Sequence, residues 1–356
     1  MYKQLTNGVV KFNIYNTESC PNLSKALQSF LAPYFWSTEG LEADFNLILK
    51  KFEEIPDYWI NHPAEEVIIR KSTADIFNLS GRFFFLDDGT RVVIDESTQT
   101  AYHIDEERNI VNFYGSKHSE IHLFEFVRYV CLLLEEISGT MILHASATSY
   151  DEAAYLVLGS KGAGKTSTLL NLIFRHGHEY FSGDKLLVSR DNEGIIVRGW
   201  PDYPHVGIGT LRNFPQLVKG LELSLKWPNG LEKADSHKEL FDPLVFRNAL
   251  PSVTSKPSVR KVSTMLFPCV ALNNSSISQL TNNDERVKTL LDNIEYPHQF
   301  LTVKWHNLFK DTRKTTTNEY EDLIEYLLDS PWFRVTGKSG IPTQLLKEIS
   351  NGISIK

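Results

Sequence analysis

Apolar positions recur along this chain with two different periods, and the changes of period mark its organisation. Residues 22–33 and 41–54 carry apolar side chains at helical spacing and predict two short amphipathic helices. From about 65 to 115 the pattern becomes strands punctuated by turns. In GRFFFLDDGTRVVID, β-formers flank Asp88 and Gly89, a dipeptide that tolerates positive φ, so the segment reads as a hairpin. TAYHIDEERNIVNFYG reads as another. Helical spacing returns at Ile121, Phe124, Val127, Val130, Cys131 and Leu134, until Ser138 and Gly139 stop the helix.

Beyond that helix, strands and helices alternate. TMILHASATS and AAYLVLG read as strands joined by the polar turn Tyr150-Asp151-Glu152, and the second delivers the chain into a glycine-rich loop. GKTSTLLNLIFRHG predicts a helix closed by Gly177, HEYFSGDKLLVSR a strand, and DNEG a turn into the strand IIVRGWP. Residues 200–262 are loop-rich, VSTMLFPCVAL is strand-like, and helices are expected near 284–293, 318–329 and 342–350. A chain of 356 residues favours two domains. The divisions expected are a β-rich N-terminal domain at 1–120 and an α/β nucleotide-binding domain at 121–356.

Composition narrows the classes. Hydrophobic residues at 42% and charged residues at 23% are ordinary for a soluble globular protein. The longest apolar-rich stretch, Ile121 to Ile137, is broken by Glu125, Arg128, Glu135 and Glu136, which argues against a membrane span. The first residues lack a basic-then-apolar leader pattern, so a cytoplasmic address is expected. A net charge of −7 advertises no nucleic-acid face. Cys20, Cys131 and Cys269 are scattered, with no zinc spacing and no implied disulfide framework.

The strongest chemical signal is GSKGAGKT, which matches G-x-x-x-x-G-K-[ST]. Such a loop wraps phosphates with backbone N–H groups, so side chains would obstruct it and glycines supply the unusual dihedrals. Gly159, Ser160, Lys161, Gly162, Ala163, Gly164, Lys165 and Thr166, with Ser167 just after them, are therefore the expected ATP-binding residues. Lys165 would reach the β- and γ-phosphates and the Thr166 hydroxyl would ligate Mg²⁺, with the helix dipole behind them. Asp184 falls within the strand predicted directly after the loop's helix. If that strand lies beside the loop's own, Asp184 reaches the γ-phosphate as Mg²⁺ ligand, proton acceptor or both. A turn aspartate between two short strands is the alternative. His144, before small Ala145 and Ser146, is either a satisfied core histidine or a neighbour that tunes this carboxylate.

ILHASAT…YLVLGSKGAGKTSTLLNLIFRHGHEYFSGDKLLV resembles the C-terminal catalytic domain of the HPr serine kinase/phosphorylase family, over about residues 140–210. It looks closest to HPr-kinase-like proteins, some of which phosphorylate peptides, and LLDSPWFRV resembles the family's late proline-plus-strand feature. The resemblance implies a P-loop core of the type shared with phosphoenolpyruvate carboxykinase. It also implies Asp184 as Mg²⁺ ligand or catalytic carboxylate, with His144 beside it. One departure matters: the family often carries two adjacent acids at this strand, and here the first is Gly183. No clear copy of the segment that docks HPr is present, so HPr itself is not the expected substrate.

Transition-state charge would be met by Lys161 or by SKPSVRK, whose Lys256, Arg260 and Lys261 otherwise read as a solvated loop; Arg260 is the catalytic candidate among them. The expected function is an ATP- and Mg²⁺-dependent kinase acting on a hydroxyl of a peptide, a protein or a small molecule. A nucleotide-binding regulatory or assembly module without acceptor chemistry is the rival reading. Neither nucleic acid nor membrane is an expected partner, and homo-oligomerisation stays open.

Overall fold

Most strands in the first third bury apolar side chains, and all of them pair into a single large sheet. The computed structural model describes residues 2–72, 75–269, 276–297, 305–306, 308–309 and 320–337. The chain divides into two units, Met1–Ser138 with Tyr296–Thr315 and Gly139–Glu295 with Thr316–Lys356.

In the first unit β1 (Tyr2–Thr6) and β2 (Lys11–Tyr15) form a hairpin, followed by helix α1 (Pro21–Leu31) and β3 (Trp36–Thr38). Next come β4 (Phe45–Lys51), β5 (Ala64–Arg70), β6 (Leu79–Phe85) and β7 (Arg91–Asp95). β8 (Thr100–Asp105), β9 (Ile110–Gly115) and helix α2 (Glu120–Ile137) complete the unit's described elements. The strands form one nine-stranded sheet in the order β3-β1-β2-β4-β9-β8-β7-β6-β5. Both expected hairpins are present, β6 against β7 and β8 against β9, and Gly89 takes the positive φ its turn requires.

The helix expected over 41–54 is instead β4. Its alternation places Phe45, Leu47 and Leu49 in the core with Asn46, Ile48 and Lys50 half-buried between them. Parallel pairing with β2 on one side and β9 on the other satisfies its backbone, and burial of one face at a period of two decides the conformation. Helix α2 packs within this unit, where Phe30 of α1 stacks on Phe124 at 4.7 Å between ring centroids.

The second unit opens with β10 (Met141–Leu143), β11 (Ser146–Tyr150), β12 (Ala153–Val157) and helix α3 (Lys165–His176). β13 (Glu179–Ser182), β14 (Leu186–Asp191), β15 (Gly194–Gly199) and β16 (His205–Gly207) follow. Two short helices, α4 (Ile208–Leu211) and α5 (Pro215–Gly220), precede β17 (Lys238–Leu240) and α6 (Pro243–Asn248). Then come β18 (Ser258–Val259), β19 (Lys261–Cys269), β20 (Ser276–Gln279), α7 (Asn283–Leu291) and β21 (Ile294–Glu295). α8 (Glu321–Asp329) and β22 (Trp332–Thr336) end the described chain, and the helix expected near 342–350 lies outside the described residues.

These strands make a five-stranded sheet, β18-β15-β14-β10-β21, a six-stranded sheet, β13-β11-β12-β19-β22-β20, and the β16-β17 pair. The protein is thus mixed α/β, with several sheets and more strand than helix. Helix α3 buries two stripes. Leu172 meets Tyr155, Val157 and Leu266 of the six-stranded sheet, while Leu169, Leu170 and Ile173 meet Val206, Ile208, Leu211 and Phe214. Covering α3 on both sides fixes where its N-terminus points. Among the described residues no helix is long and apolar enough to cross a membrane.

Candidate functional site

Two stretches read as continuous strands are broken, and they break side by side. β10 pairs with β14 in the five-stranded sheet, with Leu143 opposite Leu186. β11 pairs with β13 in the six-stranded sheet, with Ala147 opposite Ser182. The two-stranded ribbon therefore turns a corner from one sheet into the other, and His144 and Asp184 are the residues at the bend. Asp184 sits not in mid-strand but between β13 and β14, and β13 lies beside β11, not beside the loop's own β12. Within the corner the His144 imidazole Nδ1 stands 3.3 Å from Asp184 Oδ1. β21 adds Glu295, whose Oε1 lies 3.7 Å from the same nitrogen, while the His144 N–H donates to the Asn293 carbonyl at 2.7 Å.

The glycine loop leaves β12 and enters α3. Gly159 has φ 147° and a Cβ there would sit 3.2 Å from Ala163 Cβ, so the loop closes only around a glycine. Gly164 precedes α3 at φ 112° and no side chain caps the helix, which leaves its first N–H groups to an outside acceptor. The Lys165 side chain folds back over the loop, donating to the Gly159 carbonyl at 2.7 Å and to His144 Nε2 at 3.1 Å.

That last bond fixes the histidine's proton. An ammonium only donates, so Nε2 is the acceptor and the neutral ring carries its hydrogen on Nδ1, which lies near Asp184 and Glu295 without a hydrogen bond to either. Burial pushes His144 below the usual histidine range, against the pull of the Asp184 carboxylate, and the Lys165 charge lowers it further. His144 is therefore a neutral imidazole at neutral pH, and its approach to Asp184 is not an ion pair. Burial also lowers Lys165, which Asp184 opposes. Lys165, His144 and Asp184 thus form one chain of polar contacts drawn from three segments.

Thr166 and Ser167 lie on the first turn of α3, and Ser167 Oγ is 2.8 Å from Thr210 Oγ1 of α4. Ser160 and Lys161 are exposed at the loop's crest, and Ala163 N–H donates to the Ser160 carbonyl at 3.1 Å. Arg260 is not brought to this cluster. Its guanidinium forks onto Asp191 at 2.8 Å for both bonds and also meets Glu193 at 2.8 Å, in the β14–β15 turn. The neighbouring Lys261 pairs with Ala153 at the start of β12. At about 3.3 Å per residue this puts Arg260 roughly 20 Å along the strand from the loop.

Gly183 has a structural cause. A Cβ there would meet Asp202 Oδ2 at 2.5 Å and the Tyr180 hydroxyl at 2.7 Å. Asp202 is buried, so the space an acid at 183 would take already holds a carboxylate. Residues that the sequence reading passed over also belong here. Lys185, next to Asp184, is ion-paired with Glu295 and lies 3.8 Å from Asp184 Oδ2. Glu295 carried no motif to flag it, because only the pairing of β21 with β10 brings it in.

These groups suit a phosphate chain with a hard cation: uncapped amides, a lysine over the loop, and oxygen donors on Thr166 and Asp184. Among the described residues no group of three or more His, Cys, Asp or Glu side chains is arranged to hold a metal. Mg²⁺ asks for less, since it keeps waters and takes substrate phosphates as ligands. No protein-family model matches the chain, and no curated protein matches it.

Proposed function

We propose that this chain is an HPr-kinase-like phosphotransferase of the cytoplasm, built on a P-loop core. It binds ATP at Gly159–Thr166 and transfers the γ-phosphoryl group to a hydroxyl of a peptide, a protein or a small molecule. The observation that carries the reading is the convergence of Lys165, His144 and Asp184 at the mouth of the glycine loop. A structural glycine turn has no need of a carboxylate and an imidazole brought from a separate corner.

The residues divide the work. Amides of the loop and of the first turn of α3 bind the phosphates, and Lys165 neutralises them. Thr166 and Asp184 would hold Mg²⁺, which supplies charge neutralisation on the phosphate oxygens when bound. Asp184 accepts the proton of the attacking hydroxyl, and the neutral His144, whose Nδ1 stands 3.3 Å from Asp184 Oδ1, lies beside the carboxylate. Phosphoryl transfer requires mainly positioning and charge, so one base is enough.

Incubation of the whole chain with γ-labelled ATP and candidate peptides or small hydroxyl compounds tests the reading. Label is expected in an acceptor with the wild type and not with Asp184→Asn. Nucleotide binding without transfer or hydrolysis would replace the kinase with a regulatory nucleotide-binding module.

A further inference from the structure

We propose that Lys238 is a second phosphate-binding cation of this site, holding the terminal phosphoryl group of the bound triphosphate. The proposal rests on the nucleotide-binding reading above and fills the place that Arg260 leaves. Lys238 opens β17 and pairs with Gly207, the last residue of β16. α4 begins directly after Gly207, and its Thr210 hydroxyl is the group 2.8 Å from Ser167 on α3. Two further bonds tie this hairpin to α4: Ile208 N–H donates to the His237 carbonyl at 2.8 Å, and Gly209 N–H to the Asp235 carbonyl at 3.1 Å. Lys238 is thus carried toward the loop by backbone pairing.

The neighbouring cations are already matched. Lys233 Nζ donates to Glu239 Oε1 at 2.6 Å, and His237 Nε2 lies 3.2 Å from the same oxygen. Alternation along β17 directs Glu239 to the opposite face from Lys238. Lys238 itself is exposed, and among the described residues its ammonium has no ion-pair or hydrogen-bond partner. Lys185, next to Asp184, is taken by Glu295. An ammonium without a partner, brought beside the loop, attracts a polyanion bound there. The loop amides enclose the inner phosphates, which leaves the terminal oxygens to side chains from outside the loop.

Calorimetric titration of the full chain with AMP-PNP and with ADP tests this. Lys238→Gln is expected to weaken AMP-PNP about tenfold or more, the scale of one charge-assisted contact, and to leave ADP within about twofold. Lys238→Arg is expected to recover most of the loss. Unchanged AMP-PNP affinity in Lys238→Gln, or equal losses for both nucleotides, overturns the role of Lys238 while wild-type binding keeps the nucleotide reading. A wild type that binds neither nucleotide overturns both.

Discussion

His144 and Asp184 face each other at 3.3 Å because β10 and β14 are paired neighbours and both leave their sheet at the same level, after Leu143 and before Leu186. The corner, not a strand, presents the carboxylate. Each residue is held by backbone on both flanks, so their separation is set before any ligand arrives. Such preorganisation is what a positioned proton acceptor requires.

Asp184→Asn keeps size and much of the hydrogen bonding while removing the charge and the basic oxygen. Phosphoryl transfer to any accepted hydroxyl is expected to fall by about 10²–10⁴. Nucleotide Kd is expected to change little, because Lys165 and the loop amides are proposed to carry most of the binding. Near-normal kcat in a folded Asp184→Asn variant would remove Asp184 as the base.

Lys165 makes a different prediction, with a pH signature. Lys165→Ala is expected to weaken ATP binding by more than tenfold, the loss of a charge-assisted phosphate contact. The same substitution removes a charge that lowers His144, so the imidazole pKa is expected to rise toward the usual range. Asp184→Asn removes a charge that raises it, so the shift should be downward. NMR titration of the His144 ring in the three proteins reads both signs. Identical titration curves would mean that the two side chains do not act on the imidazole.

Much of this was legible from the sequence, and the failures share a cause. The hairpins, the helix of the glycine loop and its closing Gly177 are local patterns, and local periodicity reports them. The corner is not local. LHAS and SGDK continue the apolar rhythm of their strands, and only the pairing of β10 with β14 and of β11 with β13 reveals two sheets. β4 was misread because its alternation of apolar and polar residues is short and ends in Lys50-Lys51, while its parallel partners are distant in sequence. Glu295 and Lys238 arrive through long-range pairing and have no motif of their own.

Arg260 illustrates the converse, a cation that looks functional in sequence and is held elsewhere. Arg260→Ala is expected to leave nucleotide affinity and transfer within about twofold of wild type, because its partners Asp191 and Glu193 are exposed and distant from the loop. A large loss of kcat with unchanged stability would return Arg260 to the site.

Gly183→Asp tests whether the adjacent acid is missing or simply unplaceable. The new Cβ would press on Asp202 and Tyr180, with a second carboxylate forced against the first. Destabilisation of about 1–3 kcal/mol is expected from overpacking alone, measured by urea unfolding, with no gain in transfer. Increased transfer in a stable Gly183→Asp protein would contradict the packing.

The last prediction concerns the first unit, where an acid-sensitive clip ties the sheet to α2. His122 Nε2 lies 3.0 Å from Asp95 Oδ2 and its Nδ1 2.9 Å from the Tyr102 hydroxyl, inside the fold. Although burial opposes it, hydrogen bonding from His122, Ser97 and Thr98 holds the Asp95 carboxyl far below its ordinary value. A carboxyl depressed in the folded state contributes stability that is fully present above its unfolded value, near 3.9, and is lost as pH falls through the folded one. Asp95→Asn is therefore expected to cost about 1–3 kcal/mol at pH 7, the scale of a charged hydrogen bond. The deficit should shrink as pH falls below about 4, where the wild type progressively loses the same contribution. Urea unfolding at pH 7 and pH 3, followed by a probe in the first unit, checks it. A deficit of constant size at both pH values would mean that Asp95 acts through shape and not through charge.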